Sequence, residues 1–445
     1  MRNLKKLGSA ILLASMFLFS ACSKTEFLPD PEGAQVPFQN NATQTVDELL
    51  AASPAKLYYT AWQKSNIKNI LKQNGNKVVY TVFAPNDAAM QAAGLTAAAI
   101  NQLPVAELDS LMMFYTTIGY MTKDELKLRN DNFVVKTLLI HPGLYVPYYE
   151  GNSQGTTAYD DYYYKHFVAL KGDDLLMNGK NVGKANYLPA TNGGVYLMEK
   201  AIEKPTKTIL EALKADGRFT IFLESQRLTD ELFLSKISAD IEALFGMVLE
   251  DEDIMRDYAS NRLFYKKDWG VNAPIYPGYF GPNVTVSTLF APTDEAFHKA
   301  GFQTVADVME FNKRSASTVL FDENTYQAAG GYPMDTVYSF HRNWGRIVQT
   351  ASPNGDKAIN NATVFYSNVL NPALNNYLVN AGGNVTVEYA YNMPLEFSVN
   401  NNMPQVKVKG SEYPAASVIE GDINTLNGPI HVVDRLLFPK GFKLK

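Results

Sequence analysis

The sequence predicts an α+β protein that contains two copies of one unit, in which helices lead into short buried strands. Three observations support this prediction. A T-x-F-A-P-x-D frame occurs twice, an Asn-Gly dipeptide followed by a β-branched or aromatic run occurs twice, and apolar residues at helical spacing precede each frame. With 445 residues, the chain is long enough for two domains that each bury a core.

The composition is that of a globular protein, with 46% hydrophobic and 19% charged residues. The formal net charge is -5, and no block of like charge occurs. A nucleic-acid backbone is recognised by a basic surface, and the sequence gives no sign of one. We therefore expect no nucleic-acid partner.

The N-terminus has the pattern of an export signal. Basic residues within the first six positions precede an apolar run at 7–21, which is too short for a good membrane-spanning helix. Cys22, the only cysteine, follows directly in the string LFSAC, which resembles a bacterial lipoprotein processing site. This resemblance implies cleavage before Cys22 and attachment of lipid to its thiol. An ordinary secretory signal followed by a chance cysteine is the alternative.

These features divide the chain into expected segments. Residues 1–21 form a signal peptide, and residues 22–44 form a polar, proline-containing spacer. We expect a first domain at 45–204, a second domain with a large insertion at 205–440, and a short tail at 441–445. We expect the chain in the bacterial cell envelope, lipid-anchored at the outer membrane. Because a lone cysteine cannot form an intramolecular disulfide, each domain depends on its core.

The repeated frame lies in TVFAPNDAAMQAAGL (81–95) and in TLFAPTDEAFHKAGF (288–302). A proline cannot continue a strand ladder, so each buried strand should end there, and the next two residues offer side-chain oxygens to cap a helix. The phenylalanine of each frame should anchor its strand in the core. The frame residues are Thr81, Phe83, Pro85 and Asp87 in the first copy and Thr288, Phe290, Pro292 and Asp294 in the second.

The second repeated segment closes each unit, as TNGGVYLMEKAIEKP (191–205) and LNGPIHVVDRLLFP (426–439). Asn192-Gly193 and Asn427-Gly428 predict hairpin turns, because both residue types tolerate positive φ. The following apolar run predicts a buried strand that ends at an acid–base pair, with Asp434 as the acid in the second copy. A histidine within such a strand, His431, is more often a hydrogen-bonded structural residue than a ligand.

Taken together, the frame and the closing segment resemble the two hallmark motifs of fasciclin-type domains. The resemblance covers most of the chain after the spacer. It implies two tandem β-wedge domains, each with a mixed sheet flanked by helices, and a non-enzymatic adhesion or binding role. Animal members carry a Tyr-His pair implicated in receptor adhesion. This chain has Phe114-Tyr115 and Phe340-His341 in that region, so integrin-type recognition is not carried over.

Insertions are where the individual function is expected. The first, at about 121–187, is rich in tyrosine, whose ring can stack on a sugar or fill a pocket in a protein partner. Alternatively, YDDYYYKHFVAL is an edge strand that half buries its tyrosines. The second insertion, at 235–269, predicts an added helix with Ile237, Ile241, Leu244, Phe245, Val248 and Leu249 on one face. The candidate ligand-contact residues are Tyr148, Tyr149, Tyr162, Tyr163 and Tyr164.

Catalytic patterns are weak. The string GNSQG at 151–155 matches G-x-S-x-G, but it lies in a loop-like tract and not between a strand and a helix. The five histidines form no H-E-x-x-H motif, and no phosphate loop, dinucleotide fingerprint or EF-hand loop occurs. We therefore expect no catalytic residue, no metal and no cofactor.

The resulting hypothesis is a non-enzymatic, membrane-anchored binding or adhesion lipoprotein of the cell surface. Its expected partners are the membrane, through the lipid, and a surface protein or glycan. The alternative is an accessory lipoprotein that captures glycans or peptides for an outer-membrane uptake transporter complex.

Overall fold

The computed structural model describes residues 41–75, 77–149, 157–259, 271–272, 283–284, 286–315, 317–342, 364–383 and 388–444. Residues 42–445 belong to one compact unit. The signal peptide, Cys22 and most of the spacer lie outside the described residues. We call residues 42–205 the first lobe and residues 206–444 the second lobe. Both lobes mix helices and sheets, so the predicted α+β class is confirmed.

The first lobe begins with helices and continues into a long sheet. Its helices are α1 (Val46–Ala52), α2 (Lys56–Lys64), α3 (Ile67–Gln73), α4 (Asp87–Ala92), α5 (Ala97–Gln102), α6 (Val105–Phe114) and α7 (Lys123–Lys127). Its strands are β1 (Tyr80–Pro85), β2 (Thr116–Ile118), β3 (Phe133–Tyr149), β4 (Thr157–Lys171), β5 (Asp174–Met177), β6 (Lys180–Lys184), β7 (Asn186–Ala190) and β8 (Gly193–Met198). The strand order is β6-β5-β4-β3-β2-β1-β8-β7.

The second lobe repeats this plan with different additions. Its helices are α8 (Ile209–Asp216), α9 (Thr220–Phe245), α10 (Asp251–Asp253), α11 (Asp294–Lys299), α12 (Val305–Arg314) and α13 (Pro333–Arg342), with a π-helical turn at Ile254–Tyr258 and 3-10 turns at Ser367–Val369 and Pro372–Asn376. Its strands are β9 (Val271–Asn272), β10 (Asn283–Val284), β11 (Leu289–Pro292), β12 (Leu320–Asp322), β13 (Gln327–Ala329), β14 (Leu378–Gly383), β15 (Glu388–Asn392), β16 (Leu395–Asn400), β17 (Met403–Val408), β18 (Ala416–Thr425) and β19 (Gly428–Val433). The main sheet has the order β11-β19-β18-β17-β16. None of the described helices is long and apolar enough to cross a membrane.

The two repeated segments pair with each other in both lobes. The frame strand β1 runs parallel to the closing strand β8, and β11 runs parallel to β19 in the same way. Phe83 faces Tyr196 across the first pair, and Phe290 faces His431 across the second, with ring centroids 5.6 Å apart in each case. Both phenylalanines are fully buried, as predicted, and both strands end at their prolines.

The insertions depart from the predictions. The tyrosine-rich strand β4 pairs with both β3 and β5, so it is an inner strand and not an edge strand. The predicted added helix is wrong as a separate element, because α9 runs unbroken to Phe245 and stops at Gly246, which has φ 65°. Ile237 and Ile241 are buried on it, whereas Val248 lies beyond its end and is exposed. Leu244 and Phe245, at the end of α9, are also exposed.

The Asn-Gly pairs do not form the turns predicted for them. Each hairpin has a two-residue loop, Thr191-Asn192 in the first lobe and Leu426-Asn427 in the second. Each glycine is already the first residue of the following strand. Gly193 and Gly428 have φ 147° and 128°. A Cβ on Gly193 would lie 1.8 Å from the carbonyl oxygen of Tyr80, and one on Gly428 would lie 1.9 Å from that of Ser287. Glycine is therefore required by the close approach of the frame strand.

Gly428→Ala should lower the free energy of unfolding by about 2–4 kcal/mol, since strain and a backbone clash act together. Gly441→Ala is the matched control, because Gly441 has φ 71° with nothing near its Cβ position. That substitution should cost only about 1 kcal/mol. Urea unfolding of the two variants measures the difference, and equal losses would contradict the role given to the close approach.

Candidate functional site

The acidic residue of each frame caps a helix other than the one that follows it. Asp87 Oδ1 accepts a hydrogen bond from the backbone N–H of Leu57 at 2.7 Å, in the first turn of α2. Asp294 Oδ1 accepts from the N–H of Ile221 at the same distance, in the first turn of α9. Neither α2 nor α9 has a side-chain cap at its own N-cap position. These carboxylates therefore replace the missing caps and join the frame to an earlier helix.

The residue after each proline caps the frame's own helix, as predicted. Asn86 accepts from the N–H of Ala89, and Thr293 accepts from that of Ala296. The frame threonines are also engaged, since the Thr81 hydroxyl donates to the carbonyl of Gly119 at 2.8 Å. The hydroxyl oxygen of Thr288 accepts from the N–H of Phe365 at 2.8 Å. The polar atoms of the frame are thus used to hold the fold.

The asparagine of each closing segment caps the first helix of its lobe. Asn192 Oδ1 accepts from the N–H of Val46 at 2.9 Å, and Asn427 Oδ1 accepts from that of Ile209 at 2.8 Å. The same helices, α1 and α8, begin with capping boxes in which a threonine and a glutamate bond reciprocally. The start and the close of each lobe are therefore bonded to each other. Asp434 accepts from the N–H of Ser417 at 2.7 Å.

His431 is a fully buried member of the core. Its Nε2 donates to the carbonyl of Phe365 at 2.8 Å, and its Nδ1 accepts from the N–H of Asp422 at 3.3 Å. Burial lowers its pKa, and the Asp422 charge works in the opposite direction. With both nitrogens engaged, His431 has the structural role expected from its strand position.

In the pairs Phe114-Tyr115 and Phe340-His341, three residues are buried and Phe340 is half-buried. His341 Nδ1 donates to the carbonyl of Phe290 at 2.7 Å, and its Nε2 accepts from the N–H of Leu437 at 3.0 Å. In the first lobe, the hydroxyl of Tyr115 bonds the carbonyl and the N–H of Ile202. Tyr115 and His341 therefore each connect the end of a helix to the closing segment of their lobe.

Burial lowers the pKa of His341 to about 4, and that of His166 likewise. A histidine that is neutral in the fold contributes stability that is complete above its unfolded pKa and is lost as pH falls toward the folded value. We expect a loss of about 2 kcal/mol for each such histidine between about pH 8 and about pH 5.

His341→Gln should remove the pH dependence of stability that His341 causes. The difference in free energy of unfolding between parent and variant should therefore become smaller as pH falls. Asp335, whose pKa burial raises to about 7, has the opposite dependence, but it is present in both proteins and cancels. Urea unfolding over a pH series measures the gap. A gap that stays constant with pH would show that His341 does not titrate as described.

Two of the five candidate tyrosines are buried where the lobes meet. The Tyr162 hydroxyl donates to the carbonyl of Leu426 in the other lobe, and the Tyr162 and Tyr164 rings pack edge to face at 5.7 Å. Both side chains are only 6% exposed, which leaves little ring area for a surface ligand. This outcome corrects the ligand-contact prediction for these two residues. The side chains of Tyr148 and Tyr149 lie outside the described residues.

Tyr163 differs because alternation along β4 places it on the other side of the sheet. Its half-buried ring lines a groove of about 610 Å³ together with Lys136 and Asp160. The Lys136 Nζ lies 5.3 Å from the centre of the ring, within cation–π range. Burial raises the pKa of Tyr163, and the charges of Asp161 and Asp160 raise it further. The hydroxyl therefore remains protonated, and able to donate a hydrogen bond, at neutral pH. The groove offers a ring face, an ammonium and a carboxylate to a ligand.

The junction between the lobes is the feature that sequence reasoning missed. Strand β10 of the second lobe pairs with β3 of the first, through Asn283 and Tyr145. Phe167 contacts Tyr366 with ring centroids 5.0 Å apart. No local pattern signals these contacts, because the partners are far apart in the sequence.

No catalytic centre is recognisable in the described part of the chain. Groups of three or more His, Cys, Asp or Glu side chains that could hold a metal are absent from it. The GNSQG string at 151–155 lies outside the described residues.

Comparison with known proteins bears on the first lobe directly. Residues 53–205 match the family described as the Fasciclin domain. None of the curated proteins matches the chain. Among solved structures, a FAS1 domain pair from the insect cell adhesion molecule fasciclin I is similar at 12% identity, with a TM-score of 0.27, over 87% of this chain and 98% of that one.

Proposed function

We propose that this chain is a non-enzymatic binding or adhesion protein of the bacterial cell surface. The match of residues 53–205 to the fasciclin domain carries the proposal. The motif residues support it indirectly, because their polar atoms cap helices and bond strands within the fold. A ligand would therefore be bound by residues outside the motifs. Among the predicted contact residues, Tyr163 is the one whose surroundings offer an aromatic ring, an ammonium group and a carboxylate together.

The proposed organisation has two tandem fasciclin-type domains, at 45–204 and 205–440, followed by a tail at 441–445. The repeated caps and strand pairs of the second lobe favour this reading. A lipid on Cys22 would hold the chain at the outer membrane, and residues 22–44 would separate the domains from it. Several acyl chains hold a protein firmly, since each buried methylene contributes about 0.8 kcal/mol.

The second candidate is an accessory lipoprotein that captures glycans or peptides for an outer-membrane transporter. The same groove favours it, because an aromatic face flanked by charged groups suits a sugar ring as well as a protein side chain. The two functions differ in phenotype. Adhesion predicts loss of attachment on deletion with normal growth on every nutrient, whereas capture predicts a growth defect on one nutrient.

Tyr163→Ala should weaken binding at least about tenfold, because it removes the aromatic ring from the groove. The measurement is equilibrium binding of the detergent-purified full chain to a panel of surface proteins and polysaccharides. Tyr326→Ala is the matched control, since this tyrosine is 58% exposed in the second lobe and does not line the groove. Unchanged binding by Tyr163→Ala would remove the groove from the proposal. Tyr162 and Tyr164 are unsuitable for this test, because their loss would disturb the junction.

Cys22→Ser should move the protein from the membrane fraction to the soluble fraction, because the lipid has no other attachment point in the sequence. Ser23→Ala, next to it, should leave the protein in the membrane fraction. Fractionation with immunodetection distinguishes the two. A Cys22→Ser protein that stays with the membrane would refute the anchor.

A further inference from the structure

A second cavity lies between the lobes and shares no lining residue with the groove beside Tyr163. It is a cleft of about 570 Å³, within the range of about 300–1,000 Å³ that is typical of small-ligand sites. Its walls come from the β5–β6 hairpin, the segment after β8, the linker at 203–207, and α8 and β18 of the second lobe. Sites of this kind are common where two domains meet.

Four lysines line this cleft, namely Lys180, Lys200, Lys204 and Lys207. Within the described residues, none of their ammonium groups lies within 4 Å of a carboxylate, whereas Lys123, for example, pairs with Asp173 at 2.9 Å. Lys204 has one weak contact, to the hydroxyl of Ser110 at 3.4 Å. Although the chain has a net charge of -5, these four lysines create a positive electrostatic potential in the cleft.

The acidic residues of the lining do not cancel this charge. Asp216 accepts a fork of two hydrogen bonds from Arg218, each 2.6 Å long, and Arg218 also donates to Glu420 at 2.7 Å. Glu203 is the other carboxylate among the lining residues. The lining therefore has four ammonium groups and two carboxylates, and one of these carboxylates is already bonded to Arg218.

Asn178 supplies an independent sign of a ligand. Its side chain is 2% exposed, and its Oδ1 accepts from the N–H of Phe167 at 2.9 Å. Its Nδ2, however, has no hydrogen-bond partner among the described residues, although the residue lines the cleft. A buried donor without an acceptor is unfavourable, so an oxygen bound in the cleft beside this amide would supply the missing acceptor.

We infer that this cleft binds a carboxylate-bearing oligosaccharide. Because the lysines come from the β5–β6 hairpin, the segment after β8 and the linker, they suit a ligand whose negative charges are spaced along its length, and hydroxyl groups suit the amides of Asn178 and Asn424. The lining residues that the structure describes include no arginine for a bidentate phosphate contact. They also include no aromatic ring for stacking on a base, which argues against a nucleic acid.

The test is calorimetric titration of the detergent-purified full chain with tetragalacturonate. Its methyl ester serves as the neutral probe, and a tetraglutamate peptide serves as the acidic probe without sugar. The double variant Lys180→Gln, Lys207→Gln removes two exposed ammonium groups from the cleft. The matched control is Lys72→Gln, Lys77→Gln, because both of these lysines are exposed and neither lines the cleft.

Tetragalacturonate should bind, its methyl ester should not, and the cleft variant should raise Kd at least about tenfold while the control changes it less than about twofold. Asn178→Asp, which keeps the acceptor for Phe167 but loses the unpartnered donor, should also weaken binding. Thermal unfolding verifies that each variant is folded.

Equal weakening by the cleft and control variants, or equal binding of the ester, would overturn the inference. Tighter binding of tetraglutamate would overturn the sugar assignment and identify an acidic peptide as the ligand. Failure of every acidic probe would also overturn it. Each of these outcomes is separate from the Tyr163→Ala result, which concerns the other cavity.

Discussion

The parallel contact between the frame strand and the closing strand of each lobe is the constraint on which the rest of the structure depends. β1 lies beside β8 and β11 beside β19, so closely that only glycine fits at the start of each closing strand. Asn192 and Asn427 then reach the first helix of their lobe, and Asp87 and Asp294 reach a helix that precedes the frame. Each lobe can therefore finish folding only after its closing strand has paired with its frame strand. Long-range contacts of this kind bring a loop-closure cost before they contribute stability.

Local chemistry explains which parts of this arrangement could be predicted from the sequence. The strands that end at Pro85 and Pro292, the buried Phe83 and Phe290, and the caps at Asn86 and Thr293 follow from residues that are neighbours in the chain. The roles of Asp87 and Asp294 do not, because their helices start about thirty and about seventy positions away, and sequence spacing carries no signal at that range.

The candidate site was predictable to a smaller extent. Alternation along β4 separates Tyr163 from Tyr162 and Tyr164, but which face is buried depends on the second lobe, and in particular on Leu426. In an edge strand either face could be the buried one. In β4, which is an inner strand beside the second lobe, the buried face is fixed. For the same reason the lysine cleft was invisible in the sequence, since its walls come from both repeats. The repeated motifs indicate how each unit folds, and the junction creates surfaces that neither unit has alone.

The bond between Asn192 and Val46 has a mechanical consequence for a protein tethered as proposed. Tension that enters the first lobe from the membrane side reaches Val46, which is fastened beside the start of β8, and it leaves past Met198 at the other end of the same strand. The pull is thus directed along β8, parallel to its neighbour β1, with which it is paired from Gly193 to Met198. Strands pulled along their length share the load among all of their hydrogen bonds at once, whereas strands peeled from one end lose them singly. The topology that closes the fold therefore also orients it to resist shear.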